Sequence, residues 1–151
     1  MKKAIGILVL GLLWCNIGFA YNLKIIDGDT IVLNGERIRF TGIDTPELKQ
    51  ICKKGDQKIF CGMEAKMLLI KKIGNEIPRC VSEGKDYYNR TLAECFVNGE
   101  SLSSYLVRSG YAFAYRKYSK KFIKDEEFAK ENKLGIWLFE FEYPWDFRKK
   151  K

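Results

Sequence analysis

From Leu23 onward, short apolar and β-branched runs alternate with turn residues. Leu23 to Ile26 and Thr30 to Leu33 are two such runs, and Asn34-Gly35 supplies a hairpin turn into Arg37 to Ile43. In that third run Ile38 and Phe40 alternate with Arg37, Arg39 and Thr41, the period of a strand with one buried face. Three strands in a meander are expected. After Asp44-Thr45-Pro46-Glu47 a polar, lysine-rich stretch to Phe60 reads as a loop. From Gly62 to Ile73, Met63, Met67, Leu68 and Ile70 keep helical spacing while Lys66, Lys71 and Lys72 point mostly outward, which predicts an amphipathic helix. Pro78 to Ser82 and Thr91 to Val97 read as two more strands, joined by the charged turn Glu83 to Arg90 and closed by Asn98-Gly99. Ser101 can cap a short helix through Val107 with Leu102 and Leu106 inward, and Lys121 to Asn132 reads as a last helix ended by Leu134-Gly135.

Five strands with three helices set between and after them suit a mainly β fold, a small antiparallel barrel of the oligonucleotide-binding (OB) type. The first twenty residues are set apart from it. Lys2 and Lys3 precede an apolar run from Ala4 to Cys15, and small residues stand at Gly18 and Ala20, the order of a signal peptide. The run is short for a bilayer span, so cleavage after Ala20 is expected, leaving a single domain over residues 21–151 with no membrane span. That implies an exported chain, periplasmic or secreted. Cys52, Cys61, Cys80 and Cys95 then form an even set, which in an exported protein suggests two disulfides, with three pairings open. A zinc site is disfavoured, because there is no C-x-x-C pair.

The net charge is +8, of which Lys2 and Lys3 contribute two, and a basic domain attracts polyanions. Zero histidines narrows the chemistry further. Histidine triads, histidine general bases and histidine-bound metals are excluded, leaving carboxylates, Arg, Lys, Tyr, Ser and Cys.

Taken singly, the polar motifs have ordinary explanations. Asp27-Gly28-Asp29-Thr30 suits a turn, Asp44-Thr45-Pro46-Glu47 a helix start or loop, Arg39 an exposed strand face and Arg90 a turn tip. Together they say more. Asp29 opens the second strand and Asp44 ends the third, so a meander can bring both to one edge, where two carboxylates and the Thr45 backbone carbonyl make a hard-oxygen site suited to calcium. Arg39 on the same face and Arg90 at the next hairpin tip can hold a phosphate between them, and Glu47 can orient or deprotonate a water.

Ile26-Asp27-Gly28-Asp29-Thr30, Arg39 with Asp44-Thr45-Pro46-Glu47, and Asp86-Tyr87-Tyr88-Asn89-Arg90-Thr91-Leu92-Ala93 resemble the staphylococcal (micrococcal) nuclease family from Leu23 to about Trp137. The resemblance implies a five-stranded OB barrel with three helices and calcium-dependent endonucleolytic cleavage of DNA and RNA. It implies metal ligands at Asp29, Asp44 and Thr45, a water-activating carboxylate at Glu47, and phosphate-binding arginines at Arg39 and Arg90. Asn89 stands where the family often has glycine and can adopt the same left-handed turn. Tyr115 and Tyr118 are the candidates for the family's nucleotide-stacking tyrosines. The cysteines depart from the cysteine-free prototype and resemble a secreted bacterial branch, which implies Cys52–Cys61 and Cys80–Cys95; pairing between cysteines near in sequence favours the same set. No stable protein partner is implied and a monomer is expected. A non-catalytic, single-strand-binding barrel is the rival class, but it has no need of Asp29, Asp44 and Glu47 in a groove meant for a polyanion. The ending, Pro144-Trp145-Asp146-Phe147 and the basic Arg148 to Lys151, is the one feature behind a third reading, an envelope-located interaction domain; its ordinary reading is a solvated end with aromatics packed on the barrel.

Overall fold

The computed structural model describes residues 21–150, so the expected leader lies outside the described residues. Strands β1 (Leu23–Ile25), β2 (Thr30–Leu33) and β3 (Glu36–Phe40) form the expected meander. Leu33 faces Glu36 across the turn, and Asn34 and Gly35 both have positive φ, 51° and 84°, as a two-residue hairpin of matching twist requires. The remaining elements are β4 (Ile43–Asp44), β5 (Ile51–Lys54), β6 (Gln57–Phe60), α1 (Cys61–Ile73), β7 (Arg79–Lys85), β8 (Thr91–Val97), β9 (Glu100–Ser101), α2 (Leu102–Arg108), β10 (Phe113–Ala114), α3 (Ile123–Glu131), a 3₁₀ turn (Gly135–Leu138) and α4 (Pro144–Lys149).

The main sheet runs β1-β2-β3-β8-β7, with β9 added on β8, and curls into a half-barrel. Its one parallel contact, β3 on β8, sets Arg39 beside Leu92 and Phe40 beside Ala93. Ile31, Ile38, Phe40 and Val97 from the strands, with Leu102 and Leu106 from α2, fill the interior; Ile38 and Phe40 are the inward pair that the period-two pattern marks. The Ser101 hydroxyl accepts from the Ser104 amide and so caps α2. A second apolar cluster, around Phe113, Ile136 and the Cys52–Cys61 disulfide, packs the carboxy-terminal segment against the barrel. Cys80 is bonded to Cys95 across β7 and β8, where the two residues are direct register partners.

Three expectations are corrected. Residues 51–60 are not a loop but the hairpin β5–β6, with Cys52 opposite Ile59. Its side chains are mostly exposed on both faces, so no apolar alternation marks it; the disulfide and a bridge from Lys53 to Glu140 hold it. In α1, Met63, Met67 and Ile70 face outward, while Gly62, Ala65, Leu69 and Ile73 are buried. The packed face is marked by small residues because the helix backbone lies against the Pro46-Glu47 loop, where a Cβ on Gly62 would meet the Glu47 carbonyl oxygen at 2.1 Å. Finally, a fourth helix, α4, occupies the ending expected to be a solvated tail. No helix among the described residues is long and apolar enough to cross a membrane.

Candidate active site

The site is built at the edge where β2 begins and β3 passes into β4. The Asp27 carboxylate accepts from the Asp29 amide at 3.1 Å, which closes the turn and turns the Asp29 side chain inward. Thr30 and Arg39 are register partners, so the Arg39 guanidinium lies over the Asp29 turn. Arg39 donates through Nη1 to Asp29 Oδ1 at 2.7 Å and through Nη2 to Asp44 Oδ1 at 2.8 Å. Asp44 is fixed by pairing of β4 with β10, opposite Phe113. The next residue, Thr45, donates both its amide, at 3.0 Å, and its hydroxyl, at 3.1 Å, to Asp29 Oδ2, and Thr30 Oγ1 donates to Asp29 Oδ1 at 3.0 Å. Asp29 and Asp44 are both essentially inaccessible, at 2 % and 0 % exposure.

Burial of two carboxylates at such close quarters shapes their protonation. Burial, opposed by Arg148 and Arg39 and reinforced by Asp29, holds the Asp44 carboxyl above the ordinary aspartate range. Burial, then the Asp29 charge, pushes Asp27 up to about 6. For Arg39, burial works against the charged form, but Asp29 and Asp44 outweigh it and keep the guanidinium firmly charged.

Asp29, Arg39, Asp44, Thr45 and Glu47 thus meet around one open cavity of about 220 Å³. Glu47 stands on its rim with its side chain about one-third exposed, at 35 %. Its loop is tied down by Gln50, a buried side chain that sequence reasoning passed over: Gln50 Oε1 accepts from the Glu47 amide at 3.2 Å, and Nε2 donates to the Glu142 carbonyl at 2.6 Å.

Arg90 is placed differently. It is not among the residues lining the cavity and is tied to its own hairpin, with Nε and Nη2 each 2.7 Å from Asp86 Oδ2 and its amide 2.9 Å from Asp86 Oδ1. Burial favours protonation of Asp86, but the Arg90 amide and guanidinium and the Tyr88 amide together outweigh it and hold the carboxyl below its usual range. The second guanidinium in the cavity is Arg148 of α4, which the sequence reading assigned to the solvated tail. Its Nη2 donates to Asp44 Oδ2 at 2.7 Å, and its Nη1 lies 3.2 Å from Asp44 Oδ1 and 3.1 Å from Glu47 Oε1.

Tyr115 and Tyr118 meet edge to face with centroids 4.9 Å apart, but their surroundings differ. Tyr115 stacks on Trp145 of α4 at 5.4 Å, and Trp145 in turn stacks on Tyr143 at 4.7 Å. Tyr118 is largely exposed. Tyr115, Arg116, Lys117, Trp145 and Lys149 line a second cavity, of about 370 Å³.

A curled OB-type sheet carrying an acidic, arginine-bridged site at its rim defines the class of protein. A sequence profile of the staphylococcal nuclease homologue family matches residues 37–138, more than half of the chain, and the chain belongs to that family. Among its relatives, the succinoglycan biosynthesis protein ExoI of Rhizobium meliloti is 33 % identical over 120 residues, covering 76 % of this chain and 62 % of the relative. A staphylococcal-like nuclease of Arabidopsis thaliana is 27 % identical over 138 residues, covering 89 % of this chain and 40 % of the relative. An uncharacterized endonuclease of Haemophilus influenzae is 29 % identical over 122 residues, covering 76 % and 64 %. The chain therefore spans less than two thirds of the length of each of these relatives.

Proposed function

We propose that this chain is a calcium-dependent endonuclease that hydrolyses phosphodiester bonds of DNA and RNA. The observation that carries the reading is the Arg39 bridge between Asp29 and Asp44 on a cavity whose rim holds Glu47. A binding groove for a polyanion gains nothing from two buried carboxylates. A site that must hold a hard cation beside a phosphate does. Family membership and relatives named as nucleases support the same reading.

The donor set fits calcium. The protein's share would be the carboxylates of Asp29 and Asp44 with the Thr45 carbonyl, all oxygen, and water would complete the shell, since among the described residues no group of three His, Cys, Asp or Glu is placed to hold an ion by itself. Bound there, calcium supplies Lewis-acid stabilisation of the negative charge that builds on the phosphorus centre. The protein's own groups do the rest. Arg39, which bridges the two carboxylates, is assigned to a phosphate oxygen, which requires it to turn an N–H group from that bridge toward the substrate. Glu47 accepts the proton of the attacking water, and the Gln50 clamp holds its loop in place. Arg90 is assigned to the phosphate from the hairpin tip, which requires its guanidinium to leave Asp86. Tyr115 and Tyr118 are assigned to the bases. The two disulfides support an exported location for the mature chain.

The test is degradation of plasmid DNA and of a structured RNA by the purified protein with calcium, repeated with a chelator in excess. Cleavage with calcium that stops on chelation is expected. Cleavage unchanged after thorough chelation would remove the metal from the reading, and no cleavage under either condition would remove the enzyme.

A further inference from the structure

Every carboxylate oxygen of Asp44 is engaged by a guanidinium. Oδ1 accepts from Arg39 Nη2 at 2.8 Å and lies 3.2 Å from Arg148 Nη1; Oδ2 accepts from Arg148 Nη2 at 2.7 Å. Asp44 is fully buried, and a buried charge left without a partner is strongly destabilising, so some cation has to sit on it in every state of the protein. In this structure Arg39 and Arg148 share that role, with Arg148 the partner of Oδ2. The same Nη1 also holds Glu47 Oε1 at 3.1 Å, so one side chain spans both a proposed metal ligand and the proposed water-activating carboxylate.

The position of Arg148 is built rather than accidental. α4 begins with Pro144 at its first turn, which fixes the entry of the chain. Trp145 is stacked between Tyr115 and Tyr143, anchoring the helix on the barrel one turn before Arg148. The Arg148 side chain is nonetheless 38 % exposed, whereas Asp44 is sealed beneath it, so the guanidinium lies on the solvent side of the carboxylate. An incoming cation meets Arg148 first.

We propose that Arg148 is a positioning residue that competes with calcium for Asp44. It occupies the carboxylate while the site holds no metal, and the arrival of the ion displaces it, opening Asp44 and releasing Glu47 Oε1 in one step. This rests on the calcium reading above. Arg148 takes Oδ2 and shares Oδ1 with Arg39, so an ion that coordinates Oδ2 has to displace Arg148, and the affinity for calcium is reduced by the fraction of molecules in which Arg148 is docked. Glu47 Oε1 is then released from its ion pair when the metal is in place, which ties that oxygen of the proton acceptor to the loaded state.

The experiment is calorimetric titration of calcium into the full chain without nucleic acid, for the parent, Arg148→Ala, Arg148→Met and Arg148→Lys, with Lys150→Ala as a control of equal charge change on a side chain paired to Glu142. Arg148→Ala and Arg148→Met should bind calcium about tenfold more tightly, as expected for a docked state that is roughly nine-tenths populated, with Arg148→Lys between them and the parent and Lys150→Ala unchanged. Methylguanidinium added at millimolar concentration should weaken calcium binding to Arg148→Ala and leave the parent unaffected. A helix held only for packing would show neither the tightening nor the competition. The Met variant keeps the aliphatic stem, so it decides the matter if Arg148→Ala is poorly folded. Calcium binding of equal or lower affinity in the folded variants overturns the competition and leaves the metal reading standing; no calcium binding to parent or variants overturns both.

Discussion

Gly62, in the first turn of α1, lies against the peptide of Glu47 so closely that a Cβ there would meet the Glu47 carbonyl oxygen at 2.1 Å and its carbon at 2.4 Å. The obstacle is backbone, which cannot swing aside as a side-chain tip can. Gly62→Ala should therefore cost about 1–3 kcal/mol of stability and shift the Glu47 loop, lowering cleavage per folded molecule as well. Urea denaturation with a parallel cleavage assay checks both. A melt superimposable on the parent's would mean that α1 does not brace the loop.

Arg39 is the next residue whose removal has a defined sign. Among the described residues it is the one guanidinium on Asp29 and one of two on Asp44, and both carboxylates are buried. Arg39→Ala should destabilise the fold by about 3–5 kcal/mol, because it strands a buried charge, while Arg39→Ala combined with Asp29→Asn should recover part of the loss. Additive losses in the double variant, measured by denaturation, would show that the pair is not coupled.

The parts of this arrangement that the chain announces are those governed by local rules. Asn34-Gly35 predicts its hairpin because only residues tolerant of positive φ close a two-residue turn, and the alternation of Ile38 and Phe40 with Arg39 predicts which face Arg39 takes. The β2–β3 pairing then sets Arg39 over Asp29, but Asp44 lies beyond the end of β3, in β4, where pairing with the distant β10 holds it. What was not legible depends on contacts distant in sequence. Arg148 reaches Asp44 across 104 positions, and nothing in its own neighbourhood reports that. A partial signal was present: Trp137, Phe139, Phe141, Tyr143 and Trp145 alternate with other residues, the mark of an extended segment with one face packed, and Phe113 receives the rings of four of them, Trp137, Phe141, Tyr143 and Trp145. Pro144 followed by basic residues at Arg148 and Lys149 then reads as a short helix. In α1 the sequence signal pointed to the wrong face, since the closest approach selects Gly62 and Ala65 over larger apolar residues.

The disulfides should contribute unequally to function although their loops are similar. Closing loops of sequence separation 9 and 15 contributes about 3 kcal/mol each in the chain-entropy model. Only the first touches the site, because the Cys61 amide donates to the Gln50 carbonyl at 3.0 Å and Gln50 holds the Glu47 loop. Replacing Cys52 and Cys61 by Ser should lower both melting temperature and cleavage rate, and replacing Cys80 and Cys95 should lower the melting temperature alone. Peptide mapping without reduction, showing Cys52 joined to Cys80 or Cys95, would refute the pairing on which the comparison depends.

Catalysis and binding separate at Glu47, Arg90 and the β5–β6 hairpin. Glu47 stands on the rim of the acidic cavity and, in the proposed reaction, acts only on the attacking water, so Glu47→Gln should lower the cleavage rate by at least about a hundredfold while nucleic-acid affinity stays within roughly tenfold of the parent. Arg90→Ala should behave in the same way if its guanidinium leaves Asp86 for the phosphate, since that contact would be made mainly in the transition state. Lys53 and Lys54 project from the exposed hairpin, and replacing both should do the reverse, weakening binding and flattening its salt dependence without a comparable loss of turnover at saturating substrate. An Arg90 that served only to close its turn through Asp86 gives a different result: a modest loss of stability and parent-like turnover. Turnover and affinity should therefore be measured on variants whose thermal melts confirm folding. Parent-like cleavage by Arg90→Ala alone would remove the hairpin tip from the site and leave Arg39 as the phosphate ligand, whereas parent-like cleavage by Glu47→Gln would remove the proposed proton acceptor itself.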